Sequence, residues 1–204
     1  MGLIITINRQ FGSGGRELGK RLAEDLGIAY YDNEIISQLS KRSGLAVDYV
    51  NSIVEHKPIV YYPITIGRSF LSTSPAPVDM NEGLYKEQHA LIKELAQGSD
   101  CVIIGRCADY ILEDEKPFRI FVYADMESKI ARCKSKADGL EKMTDRQLVR
   151  HINEIDRERS KYYRYFAGRR WDDPAHYDLC INTSKINIKN LAKGLCASLE
   201  IYKS

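Results

Sequence analysis

Five short apolar runs punctuate the chain: Leu3–Ile7, Ile28–Tyr31, Cys101–Ile104, Phe118–Tyr123 and Leu179–Ile181. Within each, apolar residues are continuous rather than alternating, the pattern of strands in a parallel sheet covered on both faces. Between the runs the spacing becomes helical. Leu18, Leu22 and Leu26 recur every four residues, and Gly27 stands where a left-handed residue would end that helix. Asp125 is placed to cap a helix containing Ile130. Thr144-Asp145-Arg146-Gln147 fits a capping box that opens a long helix through Ile152 and Ile155. Ile188, Leu191, Leu195 and Leu199 form one apolar stripe near the end. Strands alternating with helices predict an α/β fold built on a parallel sheet. The stretch from about Asn33 to Gln97, between the second and third strands, is too long for a simple connection. Its middle, residues 57–81, is rich in Pro, Ser and aromatics and has poor helical periodicity. The insertion therefore reads as a helical subdomain with a loop, placed where it could lie over a substrate site.

Composition narrows the class. A chain of 204 residues suits a single domain, 1–204, with smaller subdomains. A net charge of +2 argues against a general nucleic-acid binder, which carries a marked basic excess. The five cysteines include no CxxC pair and are odd in number, which points away from a disulfide framework or zinc site and towards reduced thiols. The first residues lack a basic segment followed by a long apolar run, and no run is long enough to span a bilayer. The expectation is a cytoplasmic protein with no membrane partner.

The candidate chemistry begins at Gly12-Ser13-Gly14-Gly15, between the first strand and the first helix. A glycine loop there turns backbone N–H groups inward on an anion, and the helix N-terminus adds positive potential. The alternative is a tight strand–helix turn with no ligand. The phosphate-loop pattern G-x-x-x-x-G-K-[ST] is not matched. With Gly14 as the second glycine, Arg9 falls at the first glycine position, Gly15 at the lysine and Arg16 at the hydroxyl residue; Glu17 follows. A one-residue shift makes Arg16 the cation, and arginine grips phosphate with two donors.

Cys101-Val102-Ile103-Ile104-Gly105-Arg106 ends an apolar strand in Gly-Arg, so Arg106 emerges at the carboxyl edge, where open α/β sheets bind ligands. It reads as an anion clamp, or as a solvated arginine at a strand end. The segment 156–171 gathers Arg157, Arg159, Lys161, Arg164, Arg169 and Arg170. A phosphoryl group in transfer needs several cations around its oxygens. A solvated helix face and an RNA patch with interleaved aromatics are the competing readings. Ile152, Ile155, Tyr162 and Phe166 lie near helical spacing, which assigns those aromatics to the core and the arginines to the other side.

The glycine loop, the strand end "VIIGR" before "PFRIFVYAD", and the arginine-rich helix before "YDLCINTS" occur in the order found in the cytidylate kinases. Together they resemble the divergent cytidylate kinase-like branch of the P-loop nucleoside monophosphate kinases, over nearly the whole chain. The resemblance implies the P-loop nucleoside triphosphate hydrolase fold: a five-stranded parallel sheet in the order 2-3-1-4-5, flanked by helices. It also implies an NMP-binding insertion at 33–97 and a LID at 133–165. The implied activity is transfer of the γ-phosphoryl of ATP, with Mg²⁺, to a nucleoside monophosphate such as CMP or dCMP. By position, Gly12, Ser13, Gly14, Gly15, Arg16 and Glu17 would hold the donor phosphates, and Arg132 would stack on adenine. Arg106 would bind the acceptor phosphate, with Asp32 opening towards the acceptor site. Arg157, with Arg159, Lys161 or Arg164, would serve as LID arginines. Three positions depart from the pattern. The loop lysine is not in place, Ile104 stands where an acidic residue precedes Gly-Arg, and Cys107 replaces an aspartate that helps read cytosine, with Asp109 two residues on as a substitute. These departures keep two other readings open: a kinase of a small non-nucleotide acceptor, and a non-catalytic nucleotide-binding protein.

Overall fold

The computed structural model describes residues 2–48, 50, 77–135 and 139–202. Five strands, β1 (Ile4–Arg9), β2 (Ala29–Tyr31), β3 (Cys101–Ile104), β4 (Phe118–Tyr123) and β5 (Leu179–Asn182), form one sheet in the order β2-β3-β1-β4-β5. All pairs are parallel, with Ile7 opposite Ile104 of β3, and Asn8 and Arg9 opposite Phe121 and Val122 of β4. This is the expected order. Central β1 and β3 are buried along their whole length, whereas edge strands β2 and β5 are only partly covered.

Seven helices flank the sheet among the described residues: α1 (Gly15–Leu26), α2 (Asn33–Ser43), α3 (Pro77–Gly98), α4 (Ala108–Ile111), α5 (Met126–Lys134), α6 (Asp145–Ala167) and α7 (Ile188–Tyr202). Side chains alternate across a strand, and the two faces of β1 feed two cores. Ile5 and Ile7 pack with Leu18 and Leu22 of α1 and Ile188 and Ala192 of α7. Ile4 joins the opposite core, where Ile35 and Leu39 of α2, Leu91 and Ile92 of α3, and Tyr162 and Tyr163 of α6 cover the sheet. A small third cluster, centred on Cys133, Leu148 and Ile152, joins α5 to α6.

The punctuation behaves as its chemistry dictates. Gly27 ends α1 in the left-handed region, and the Asp125 side chain accepts from the Ser128 N–H at 2.7 Å. Thr144 and Gln147 form the full capping box at the start of α6. One expectation is corrected: the loop does not reach residue 81, because α3 begins at Pro77. Proline is at home in a first helical turn, where its missing N–H costs nothing. The remainder of the 57–81 stretch lies outside the described residues.

Candidate active site

β1 runs two residues beyond its apolar stretch and delivers Arg9 to the carboxyl edge of the sheet, where the chain turns through 10–14 into α1. The turn is anchored at its start by Gln10 N–H donating to the Val122 carbonyl at 2.9 Å. Gly12 and Gly14 adopt φ of 73° and 83°, which bends the backbone as only glycine does readily. Ser13 is fully buried, and its hydroxyl donates to the Gln10 carbonyl at 2.8 Å. Gly14 is the N-cap of α1 and has no side chain to cap the first turn, which leaves the helix N-terminus suited to an anion.

Three elements distant in sequence brace this loop. From the end of β5, the Thr183 hydroxyl donates to the Ser13 carbonyl at 2.6 Å. Arg132 of α5 donates to the carbonyls of Ser13 and Thr183. From α6, Asp156 accepts the Phe11 N–H at 2.6 Å and pairs with the buried Lys129 ammonium at 3.2 Å. Arg159, one turn further along α6, donates to the Arg9 carbonyl at 3.2 Å.

Between the loop, α5 and α6 lies a cavity of about 190 Å³ lined by Gly12, Gly14 and Gly15 and by four arginines: Arg9, Arg16, Arg132 and Arg159. A second cavity, of about 30 Å³, lies beside it under the Gly105-Arg106-Cys107 turn, with Asn8, Tyr162, Tyr163 and Trp171 in its wall. Arg9 and Arg159 line both. The turn is strained: Gly105, Arg106 and Cys107 have φ of 66°, 60° and 54°, and positive φ costs a non-glycine residue about 1–3 kcal/mol. It is held by Gly105 N–H on the Ile7 carbonyl and by Gln88 of α3, whose amide donates to the Arg106 carbonyl at 3.0 Å and accepts from the Tyr162 hydroxyl. A larger cavity, about 600 Å³, opens at the amino edge between Leu3, Asp100, Pro117 and Asp178. We assign it no chemistry, because its lining includes none of the glycine-loop residues, and Asp100 and Asp178 are bonded to Leu3 N–H and to Arg119.

The candidate residues divide. Gly12, Gly14, Gly15, Arg16, Arg106, Arg132 and Arg159 line one cavity or the other. Arg157 and Arg164 face solvent; Arg157 lies 3.7 Å from Glu158. Glu17 is exposed and binds Arg21. Asp32 is buried and paired with Arg16, Nε to Oδ2 2.6 Å. Asp109 lines neither cavity: Asn8 donates to one carboxylate oxygen at 2.9 Å and the Tyr163 hydroxyl to the other at 2.6 Å. Burial raises its pKa above the ordinary carboxylate value, and those two bonds offset the rise only in part. Cys107 is buried, and burial, with Asp109 nearby, pushes its thiol up and keeps it neutral.

The model of the cytidylate kinase-like family matches residues 4–185. The chain belongs to the cytidylate kinase-like family. Among curated proteins it is similar to a cytidylate kinase of Pyrococcus horikoshii, 25% identical over 90% of this chain and 81% of that protein. It is also similar to a cytidylate kinase of Methanopyrus kandleri, 23% identical over 90% and 86%. Among solved structures, an uncharacterized protein from Eubacterium ventriosum superposes with a TM-score of 0.70 at 22% identity, covering 97% of this chain and 98% of that one. Shikimate kinase from Bacteroides thetaiotaomicron gives 0.57 at 15%, with the same coverage. The fold is that of the P-loop nucleoside triphosphate hydrolases, as sheet order and these neighbours agree. Within this cytidylate kinase-like chain the sequence reading missed Arg9, counted only as a failed first glycine, and Asp156 with Lys129. The one available signal, for Arg9, was a charged residue two positions past an apolar run, at the edge where ligands bind.

Proposed function

We propose that this chain is a phosphotransferase that moves the γ-phosphoryl of ATP to a nucleoside monophosphate, CMP or dCMP by family likeness. The observation that carries the reading is the pair of adjoining cavities at the carboxyl edge, one under the glycine loop and one under the Gly-Arg turn, with Arg9 and Arg159 common to both. A donor and an acceptor in such cavities meet where cations are already concentrated. Phosphoryl transfer asks the protein mainly for alignment and charge neutralisation.

On this reading the loop and the N-terminus of α1 hold the donor phosphates, with Arg132 at the wall of the donor cavity. Arg106, presented by its strained turn, binds the acceptor phosphate. An oxygen of that phosphate attacks the γ-phosphorus, the bond to the bridging oxygen breaks, and ADP leaves. Residues 33–97 serve as the acceptor-binding insertion and 133–165 as the lid. Arg157 and Arg164 reach the transferred group only if α6 moves over the site, which would also exclude water. Among the described residues no three His, Cys, Asp or Glu side chains gather as a ligand set. Magnesium would therefore be carried by nucleotide phosphates and water, as Mg²⁺ keeps several waters in such sites.

The test is ADP release in a coupled assay with ATP·Mg²⁺ and CMP, dCMP, UMP, AMP or GMP. Turnover that depends on one of these acceptors is expected. ATP binding without acceptor-dependent turnover would establish a non-catalytic nucleotide-binding protein instead. Cys107 favours a second reading, because a buried neutral thiol cannot read a cytosine amino group as an aspartate would. That reading is a small non-nucleotide acceptor, and turnover with a metabolite panel but with no nucleotide would establish it.

A further inference from the structure

P-loop kinases normally carry their phosphate-binding cation on the loop itself, as the lysine of G-x-x-x-x-G-K. Here that position is Gly15. The next residue, Arg16, is the obvious replacement, but its side chain is 51% exposed and its Nε lies 2.6 Å from Asp32. Its charge is thus matched by a carboxylate, and the lining of the acceptor cavity does not include it.

Arg9 is placed differently. It is the last residue of β1 and only 7% exposed. Strand parity puts it on the same face as Ile5 and Ile7, the face that α1 covers. Its stem occupies the space a side chain at Gly15 would need: a Cβ there would lie 2.5 Å from Arg9 Cβ and 3.2 Å from Cγ. Its guanidinium lies over Gly105, where a Cβ would overlap Nη1. The two glycines that flank the transfer path, one from each cavity, are therefore both vacated for the same arginine. Arg9 lines both cavities, with its guanidinium at the Gly105 turn.

We propose that Arg9, delivered by the strand rather than by the loop, takes the place of the missing lysine. It grips the γ-phosphoryl group where that group passes from donor to acceptor. The planar guanidinium offers two parallel donors to phosphate oxygens, a geometry lysine lacks. This inference rests on the phosphotransferase reading and deepens it: the substrate it recognises is a nucleoside triphosphate, in preference to the diphosphate.

The experiment measures ATP and ADP affinity by calorimetric titration, and kcat, for wild type, Arg9→Gln, Arg9→Lys and Arg16→Gln, with thermal unfolding of each. Arg9→Gln should weaken ATP by roughly 10- to 100-fold, the scale of one hydrogen bond to a charged group, while weakening ADP much less. It should also lower kcat, and Arg16→Gln should show the smaller ATP loss. Arg9→Lys should recover part of the ATP preference. Equal loss of ATP and ADP, or a larger loss in Arg16→Gln, would overturn the assignment. Should Arg9→Gln fail to fold, Arg9→Lys decides: a retained but reduced ATP preference supports the assignment, and an unchanged one overturns it. Wild-type protein that binds no ATP would remove the phosphotransferase reading itself. Wild-type turnover with an unaffected Arg9→Gln would remove only the role of Arg9.

Discussion

Installing the lysine that the loop pattern lacks should damage this protein rather than improve it. In Gly15→Lys the new Cβ would sit 2.5 Å from Arg9 Cβ, closer than nonbonded carbons approach, and 3.2 Å from Val122 Cβ, a tight contact. Val122 is fully buried and belongs to the core between the sheet and α1, so that side cannot yield cheaply. Overpacking of this kind costs about 1–3 kcal/mol. For a domain of this size that lowers Tm by roughly 2–12 °C, at about 2–4 °C per kcal/mol. The displaced Arg9 should also lose its place in the two cavities, so ATP turnover should fall although a lysine has been added. Thermal unfolding by circular dichroism and ADP release measure the two effects. Removing the whole Arg9 side chain, Cβ included, in Arg9→Gly/Gly15→Lys should relieve the contact with Arg9, and the two substitutions should couple by about 0.5–3 kcal/mol, as residues in contact do. A Gly15→Lys protein with wild-type Tm and raised turnover would refute the idea that Arg9 occupies the lysine's place.

Two further outcomes follow from buried charge. Asp156→Ala strips the partner from Lys129, whose side chain is 6% exposed, and frees the Phe11 N–H. A buried pair broken on one side costs about 3–5 kcal/mol, or roughly 6–20 °C in Tm; a loss under about 1 kcal/mol in calorimetry would show the pair to be dispensable. Asp109 tests pH. Its raised folded pKa means the native state holds the proton more tightly than the unfolded chain. Its contribution to stability is therefore full below the ordinary carboxylate pKa and is lost as pH rises through the folded value. Asp109→Asn lacks that titration, so the Tm difference, variant minus wild type, should grow as pH rises above the ordinary carboxylate pKa of about 4. A difference that stays flat would contradict the burial argument.

The sheet was legible because its central strands β1 and β3 are buried on both faces and all five strands carry apolar runs; β3 and β4 match their runs residue for residue. The capping box at Thr144 and the glycine end of α1 depend only on neighbours in sequence, and they too could be read directly. β1 exceeded its run by Asn8 and Arg9, because polar residues buried at a ligand-binding edge do not register as hydrophobic pattern. The braces on the glycine loop join Phe11 to Asp156, Arg9 to Arg159 and Ser13 to Thr183. Each pair is more than a hundred residues apart, and no local spacing predicts such contacts. Family position brought Arg159 to the cavity but also nominated Arg157 and Arg164, which share its helix and point elsewhere. Helical phase decides among arginines that a charge cluster treats alike.

The proposed reaction passes a phosphoryl group between the two cavities. Its most direct measurement follows the label of γ-³²P-ATP into candidate acceptors, with products separated by chromatography and CMP and dCMP tried first. Labelled nucleoside diphosphate should form only when ATP, Mg²⁺ and acceptor are all present. Label that remains in ATP or appears only as inorganic phosphate, with every nucleoside monophosphate tried, would contradict it.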